Sequence, residues 1–406
     1  MPVKLWLKVS TIAIFFVMLV GMVWVSSIQT HDIESTSLAG VNIAPTEGST
    51  EYPTRPTEAP TEKTTSAFTK KQLNKVEKII NTELNEMSFN GTFLVAIGDE
   101  IVYHQAMGYS DKDKKIKNTL ETKYEIGSCT KQFTATAIAK LAEEKKLSLN
   151  DKASKYIKNA KIVKNVKIKH LVNMCSGLPD YLNEYIYDVE TGERAEDSKL
   201  SKSEFFKWLN KQQLIFEAGE YFSYSNTNYY LLGLIIEEVT GVKYEKYIHD
   251  EILYPLYMDN TSLVMTDTDS HGYLDTDWTE GIKIDSSYFY SAGEMVSTTS
   301  DMLRWLNAYH RGRVLDKATL KQAVNIGDDG FNYGYGWFVT NDYYYHTGNT
   351  ELYYAVDIVT KKNDIKIVGL TNINDTDLQQ TALTIMSKVQ SELFPKKKTE
   401  ATKPNN

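Results

Sequence analysis

β-like text stands at the two ends of the folded part of this chain and helical text fills the middle, an order few architectures accommodate. Near the start, residues 92–97 and 100–107 are two apolar, β-branched runs on either side of Gly98-Asp99, which is a hairpin signal. Near the end, residues 334–340, 343–346, 353–360 and 364–371 read as four more strands, the last two joined at Lys361-Lys362-Asn363. Between them the apolar residues recur with helical period over 131–144, 202–211, 229–240 and 301–310. A helix over 70–87 carries Leu73, Val76, Ile79, Ile80 and Leu84 on one face, and a second over 378–393 closes the body. The pattern predicts an α/β chain of the α+β sandwich type. One antiparallel sheet is built from both termini and flanked by helices, with a mostly helical lobe inserted.

The body so defined spans residues 68–394. Residues 9–28 precede it as an uncharged apolar run, about the 20 residues that cross a bilayer as a helix. Lys4 and Lys8 lie before this run, while His31, Asp32 and Glu34 follow it. That asymmetry puts residues 1–8 in the cytoplasm and the body outside, on a single-pass anchor at the cell membrane. A cleaved signal is the alternative, although Val25-Ser26-Ser27 is a poor cleavage site. Residues 29–67 repeat Pro-Thr-Glu without apolar period and read as a disordered linker, and residues 395–406 as a disordered tail.

A formal charge of −8 argues against a nucleic-acid partner, which needs a basic face. The seven histidines show no His-Glu-x-x-His, and there is neither a Cys-x-x-Cys nor a Gly-rich phosphate loop. No metal and no cofactor is expected. Two cysteines, Cys129 and Cys175, allow one disulfide or two packed thiols.

Three short strings carry the chemistry. In Ser128-Cys129-Thr130-Lys131 the lysine lies one helical turn beyond the serine, so its amine can stand beside the hydroxyl. A serine hydroxyl attacks only when a base takes its proton, and a lysine serves once burial lowers its pKa. In Tyr224-Ser225-Asn226 a phenol with a depressed pKa could relay a proton, and the Asn226 amide could orient Lys131 or a substrate carbonyl. In His346-Thr347-Gly348 the imidazole can donate a hydrogen bond or carry partial charge near neutral pH. Thr347 offers a hydroxyl, and Gly348 leaves room for a substrate backbone.

With these strings, the stretches 124–127 (YEIG), 175–181 (CSGLPDY), 222–233 (FSYSNTNYYLLG) and 291–303 (SAGEMVSTTSDML) give the body its likeness. It resembles the serine β-lactamase and penicillin-binding-protein superfamily, and within it the class C β-lactamase-like serine hydrolases. The resemblance implies Ser128 as the acylated nucleophile, Lys131 as its activator and Tyr224 as proton shuttle. It implies Asn226, His346, Thr347, Gly348 and Asn349 as substrate-binding residues, with the Ser128 and Asn349 N–H groups as oxyanion hole. His346 stands where lysine is usual, which weakens recognition of a β-lactam carboxylate. Glu294 stands where glycine is common, and is expected at the cleft rim as a carboxylate for a cationic substrate group.

The expected activity is acyl transfer on cell-envelope D-alanyl substrates, either a peptidoglycan stem peptide or a D-alanyl ester polymer. The alternatives are a β-lactamase, or a penicillin-binding protein with little turnover that acts as binder or sensor. Oligomeric state is not readable from the chain.

Overall fold

The computed structural model describes residues 66–190, 198–264, 268, 270–326, 331–375 and 377–395. The expected anchor (9–28), nearly all of the linker (29–67) and all but the first residue of the tail lie outside the described residues. Among the described residues, no helix is long and apolar enough to cross a membrane.

Helix α1 (Lys70–Glu86) starts at Thr69, whose hydroxyl accepts from the Gln72 N–H while the Gln72 side chain caps Thr69 in return. Strands β1 (Gly91–Ile97) and β2 (Glu100–Met107) form the expected hairpin. Helix α2 (Thr130–Glu143) follows, then the helical segment, including α3 (Asn226–Thr240) and α4 (Thr299–His310). Strands β3 (Phe338–Val339), β4 (Tyr343–Asn349), β5 (Tyr354–Thr360) and β6 (Ile365–Thr371) return before the last helix, α5 (Asp377–Leu393). The sheet has the order β2-β1-β6-β5-β4-β3, so the first strands and the last ones meet at β1 and β6. Gly91 pairs with Thr371 and Ile97 with Ile365 along that antiparallel seam.

Both faces of the sheet are covered, and the alternation along each strand sorts the side chains. Phe93, Val95, Ile365 and Ile367 pack with Val76 and Ile80 of α1 and Ile385 and Val389 of α5. Leu94, Ala96, Val368 and Leu370 join the larger core on the other face, with Phe133 of α2 and Trp305 of α4.

Among the boundaries that differ from the sequence expectation, two bear on the site. The run 334–340 is strand only at Phe338–Val339. Its first part instead presses on the first turn of α2, where a Cβ at Gly336 (φ +78°) would lie 2.6 Å from the Lys131 carbonyl oxygen. Helix α3 begins at Asn226 rather than Tyr229, which fixes Asn226 in the first turn of a helix whose opening turns are all buried.

Candidate active site

Ser128 lies in a 3-10 turn (Gly127–Cys129) that runs directly into α2. Lys131 is on the first turn of that helix, fully buried, while Ser128 above it keeps partial access to solvent. The Lys131 Nζ lies 2.8 Å from Ser128 Oγ, 2.8 Å from Asn226 Oδ1 and 2.7 Å from the carbonyl oxygen of Ala292. Burial lowers the Lys131 pKa to about 7, against the opposing pull of the Asp180 carboxylate.

The neighbours fix what the neutral amine can do. Asn226 Oδ1 and the Ala292 carbonyl can only accept, so they take both N–H bonds of an uncharged Lys131. The lone pair is left facing Ser128, the one neighbour of the three with a hydrogen to give. An amine in that position is arranged as a general base for the serine.

The orientation of Asn226 is itself enforced. Its Nδ2 donates to Asp180 Oδ2 at 2.9 Å, and its backbone N–H donates to Asp180 Oδ1 at 3.1 Å. Both ends of the amide are therefore engaged, with Asp180 on one side and Lys131 on the other. Burial raises the Asp180 pKa, opposed by these hydrogen bonds and by Lys131. Sequence reasoning quoted Asp180 only as part of a familiar stretch and missed that it sets the amide.

Replacing Asp180 by asparagine is expected to move the acid limb of the pH–rate profile to lower pH, because Lys131 loses the charge that holds its proton. The maximal rate should fall as well, since two amide N–H groups would then compete across the contact with Asn226. A limb that stays in place would show that Lys131 does not feel this carboxylate.

Tyr224 brings its hydroxyl to Ser128, and its ring lies 5.0 Å from the Lys131 Nζ. Burial raises the phenol's pKa, so the expected depression does not occur. The correction has a simple cause: a half-buried phenol beside a lysine that is itself easily neutralised loses more from desolvation than it gains from charge. Tyr224 is a neutral hydroxyl, suited to giving a proton and passing it on.

The third string lies on β4, beside the nucleophile's turn. A Cβ on Gly348 would stand 1.9 Å from the Ile126 carbonyl oxygen and 3.0 Å from the Ser128 nitrogen. Gly348 is thus required by the approach of two backbones, rather than by room for a substrate as the sequence suggested. The same approach brings Asn349 alongside the Ser128 turn. The Asn349 side chain is tied to Asn374 Oδ1 and to the Glu351 N–H, both at 2.8 Å. The Thr347 hydroxyl engages Tyr354.

His346 departs furthest from expectation. Its ring is buried, with Nδ1 donating to the Thr347 carbonyl at 2.6 Å and Nε2 accepting from the Tyr333 hydroxyl at 3.0 Å. Burial, with Lys131 nearby, lowers its pKa to about 3. The expected partial charge near neutral pH is therefore absent, because the imidazole sits among Tyr224, Tyr333 and Phe338.

Below the site lies a group the sequence reading passed over. Asp357 interrupts the otherwise uncharged, fully buried strand β5. Gln132 Nε2 donates to its Oδ2 at 2.6 Å, the His346 N–H donates to its Oδ1 at 3.2 Å, and the Cys129 thiol donates to it as well. One carboxylate thus ties the nucleophile's helix to the strand of the third string. Its signal was visible: a lone charge in a seven-residue apolar run. Cys129 and Cys175 are both buried thiols, not joined to each other.

Glu294 is likewise corrected. It is 5% exposed and lines a pocket with Tyr230, Tyr290 and Glu237 that neither Ser128 nor Lys131 lines. No group of three or more His, Cys, Asp or Glu side chains among the described residues is arranged to hold a metal.

An α+β scaffold with a buried lysine beside a reachable serine defines the class of serine hydrolases with a Ser–Lys pair. Residues 77–390 match the family model described as Beta-lactamase, and the chain belongs to that family. Protein flp of Staphylococcus aureus is 31% identical over 319 residues, covering 74% of this chain and 63% of its own. A penicillin-binding protein of Bacillus subtilis is 28% identical over 289 residues, covering 66% and 63%. The chain thus spans under two thirds of the length of both relatives. Among solved structures, the octameric penicillin-binding protein homologue from Pyrococcus abyssi superposes with a TM-score of 0.68 at 27% identity, covering 79% of this chain and 77% of that one.

Proposed function

We propose that this chain is an extracytoplasmic serine hydrolase, held at the cell membrane by residues 9–28. It forms an acyl-enzyme on Ser128 and acts on D-alanyl peptides or esters of the cell envelope. The observation that carries the reading is the set of three neighbours around Lys131 Nζ, which among the described residues directs its lone pair to the Ser128 hydroxyl.

Lys131 takes the Ser128 proton as Oγ attacks the substrate carbonyl. The Ser128 and Asn349 N–H groups receive the charge that develops on oxygen. Tyr224 hands its proton to the leaving alcohol or amine and is reprotonated by the Lys131 ammonium, so the Ser128 proton ends on the leaving group, and water then attacks the acyl-enzyme by the reverse path. The uncharged His346 supports D-alanyl chemistry over β-lactam destruction, since the third string offers no cation for a β-lactam carboxylate. The names of the relatives agree with a penicillin-reactive ancestry.

Labelling with a fluorophosphonate and a fluorescent penicillin is expected to mark the protein and to be lost in Ser128→Ala. A turnover screen should then rank D-alanyl esters and peptides above a chromogenic cephalosporin. Failure of both labels would overturn the nucleophile. Stable penicillin labelling without any turnover would overturn the hydrolase in favour of a binder.

A further inference from the structure

The two N–H groups read as the oxyanion hole stand on backbones that touch but come from distant parts of the chain. Ser128 follows the short strand Tyr124–Glu125, and Asn349 ends β4. A Cβ on Gly127 would lie 2.7 Å from the Asn349 nitrogen, and one on Gly348 would lie 3.0 Å from the Ser128 nitrogen. The spacing of the two donors therefore depends on what fastens these backbones together. A misplacement of about 1 Å at a reacting centre can cost about 10²-fold in rate.

Two buried carboxyl groups fasten them. Asp357 joins the residue after Ser128 to the start of the third string, accepting from the Cys129 thiol and from the His346 N–H. Glu125 joins the chain ahead of Ser128 to the residue after Asn349, because the Thr350 hydroxyl donates to its Oε2 at 2.6 Å. Each piece is already rigid by itself. Tyr124 and Glu125 pair with Ser297 and Val296, and the Ile126 N–H donates to the Met295 carbonyl at 2.9 Å. In the turn after β4, the Glu351 N–H donates to Asn349 Oδ1 and the Thr350 N–H to the Tyr353 carbonyl. One hydrogen bond between two preformed pieces then fixes how they sit.

We propose that Glu125 is a positioning residue for the oxyanion hole: through the Thr350 hydroxyl it holds the Asn349 N–H beside that of Ser128. The assignment rests on the reading of Ser128 as nucleophile. Glu125 is 2% exposed, and its Oε1 has the Lys283 ammonium 3.8 Å away as its nearest charge. A glutamate stands there against its cost, since burial raises its pKa to about 7 while Thr350 and Lys283 pull it down. Carboxyl groups are almost never buried this fully without a partner that needs them. Oε2 can accept from Thr350 in either protonation state, so the link itself needs no particular charge.

The test is the rate of Ser128 labelling by a fluorophosphonate, taken over a range of probe concentrations to separate the limiting rate from the apparent affinity. Thr350→Val removes the donor and keeps the side chain's shape. The double variant Glu125→Leu with Thr350→Val removes both polar partners, leaves no unpaired carboxyl group and should fold if the single one does not. Both should lower the limiting rate by roughly 10–100-fold, less than the loss of a donor outright, and leave the affinity nearly unchanged. Thr350→Ser and Glu125→Gln keep a hydroxyl donating to a side-chain oxygen, and should keep most of the rate. A bond that serves stability alone would lower the melting temperature and leave the limiting rate of the folded protein unchanged, which overturns the proposal. A wild-type protein that takes no label would remove the nucleophile and the oxyanion hole together. A labelled wild type with equally fast variants removes the role of Glu125 alone.

Discussion

Lys131→Met is expected to slow acylation of Ser128 by roughly 10²–10⁴-fold, the usual contribution of a positioned general base. Methionine has similar length and no proton to move, so the change removes chemistry more than packing. It also leaves Asn226 Oδ1 and the Ala292 carbonyl without their donor, at about 1–3 kcal/mol each. A lower melting temperature is therefore expected alongside the loss of rate. The two effects are separable by measuring single-turnover labelling with a fluorophosphonate at a temperature where both proteins are folded. In the wild-type protein the same rate should rise with pH through about 7, as Lys131 loses its proton, with no acid limb contributed by His346. Near-normal labelling in Lys131→Met would remove the lysine from the mechanism.

Gly348→Ala should be comparably damaging, through backbone alone. The added methyl would meet the Ile126 carbonyl at 1.9 Å, far inside contact distance, and neither partner is a flexible side chain. Strand β4 is paired with β5 from Tyr343 to Asn349, so it has little freedom to retreat. The turn carrying Ser128 must therefore move, and the Ser128 and Asn349 N–H groups separate. Losing one oxyanion donor typically costs about 10²–10³-fold in turnover. We expect a loss of that order in kcat for a D-alanyl ester, with KM changed much less, because the donors act on charge present only in the transition state. Unaltered kcat would show that these two N–H groups do not form the hole.

Much of the fold was legible because it rests on local period. The hairpin at Gly98-Asp99, the amphipathic faces of α1 and α5 and the late strands β5 and β6 appear within a residue or two of their expected places. The run at 334–340 was misjudged because its β-like composition is bent around α2, a contact with residues some 200 positions earlier. The Ser128–Lys131 pair was legible for the same local reason, since three residues is one turn of helix.

Residue order alone names the groups that could take part: a serine, a lysine one turn away, a tyrosine–asparagine pair and a glycine-bearing strand. The state of each group comes from the folded chain around it. The Lys131 pKa falls to about 7, Tyr224 stays a protonated phenol, His346 stays neutral and Glu294 is buried. These are properties of desolvation and of neighbours such as Asp180, Ala292 and Tyr333, which come from distant parts of the chain. Local spacing can bring two side chains to one face of a helix, but a protonation state depends on everything the fold packs around them.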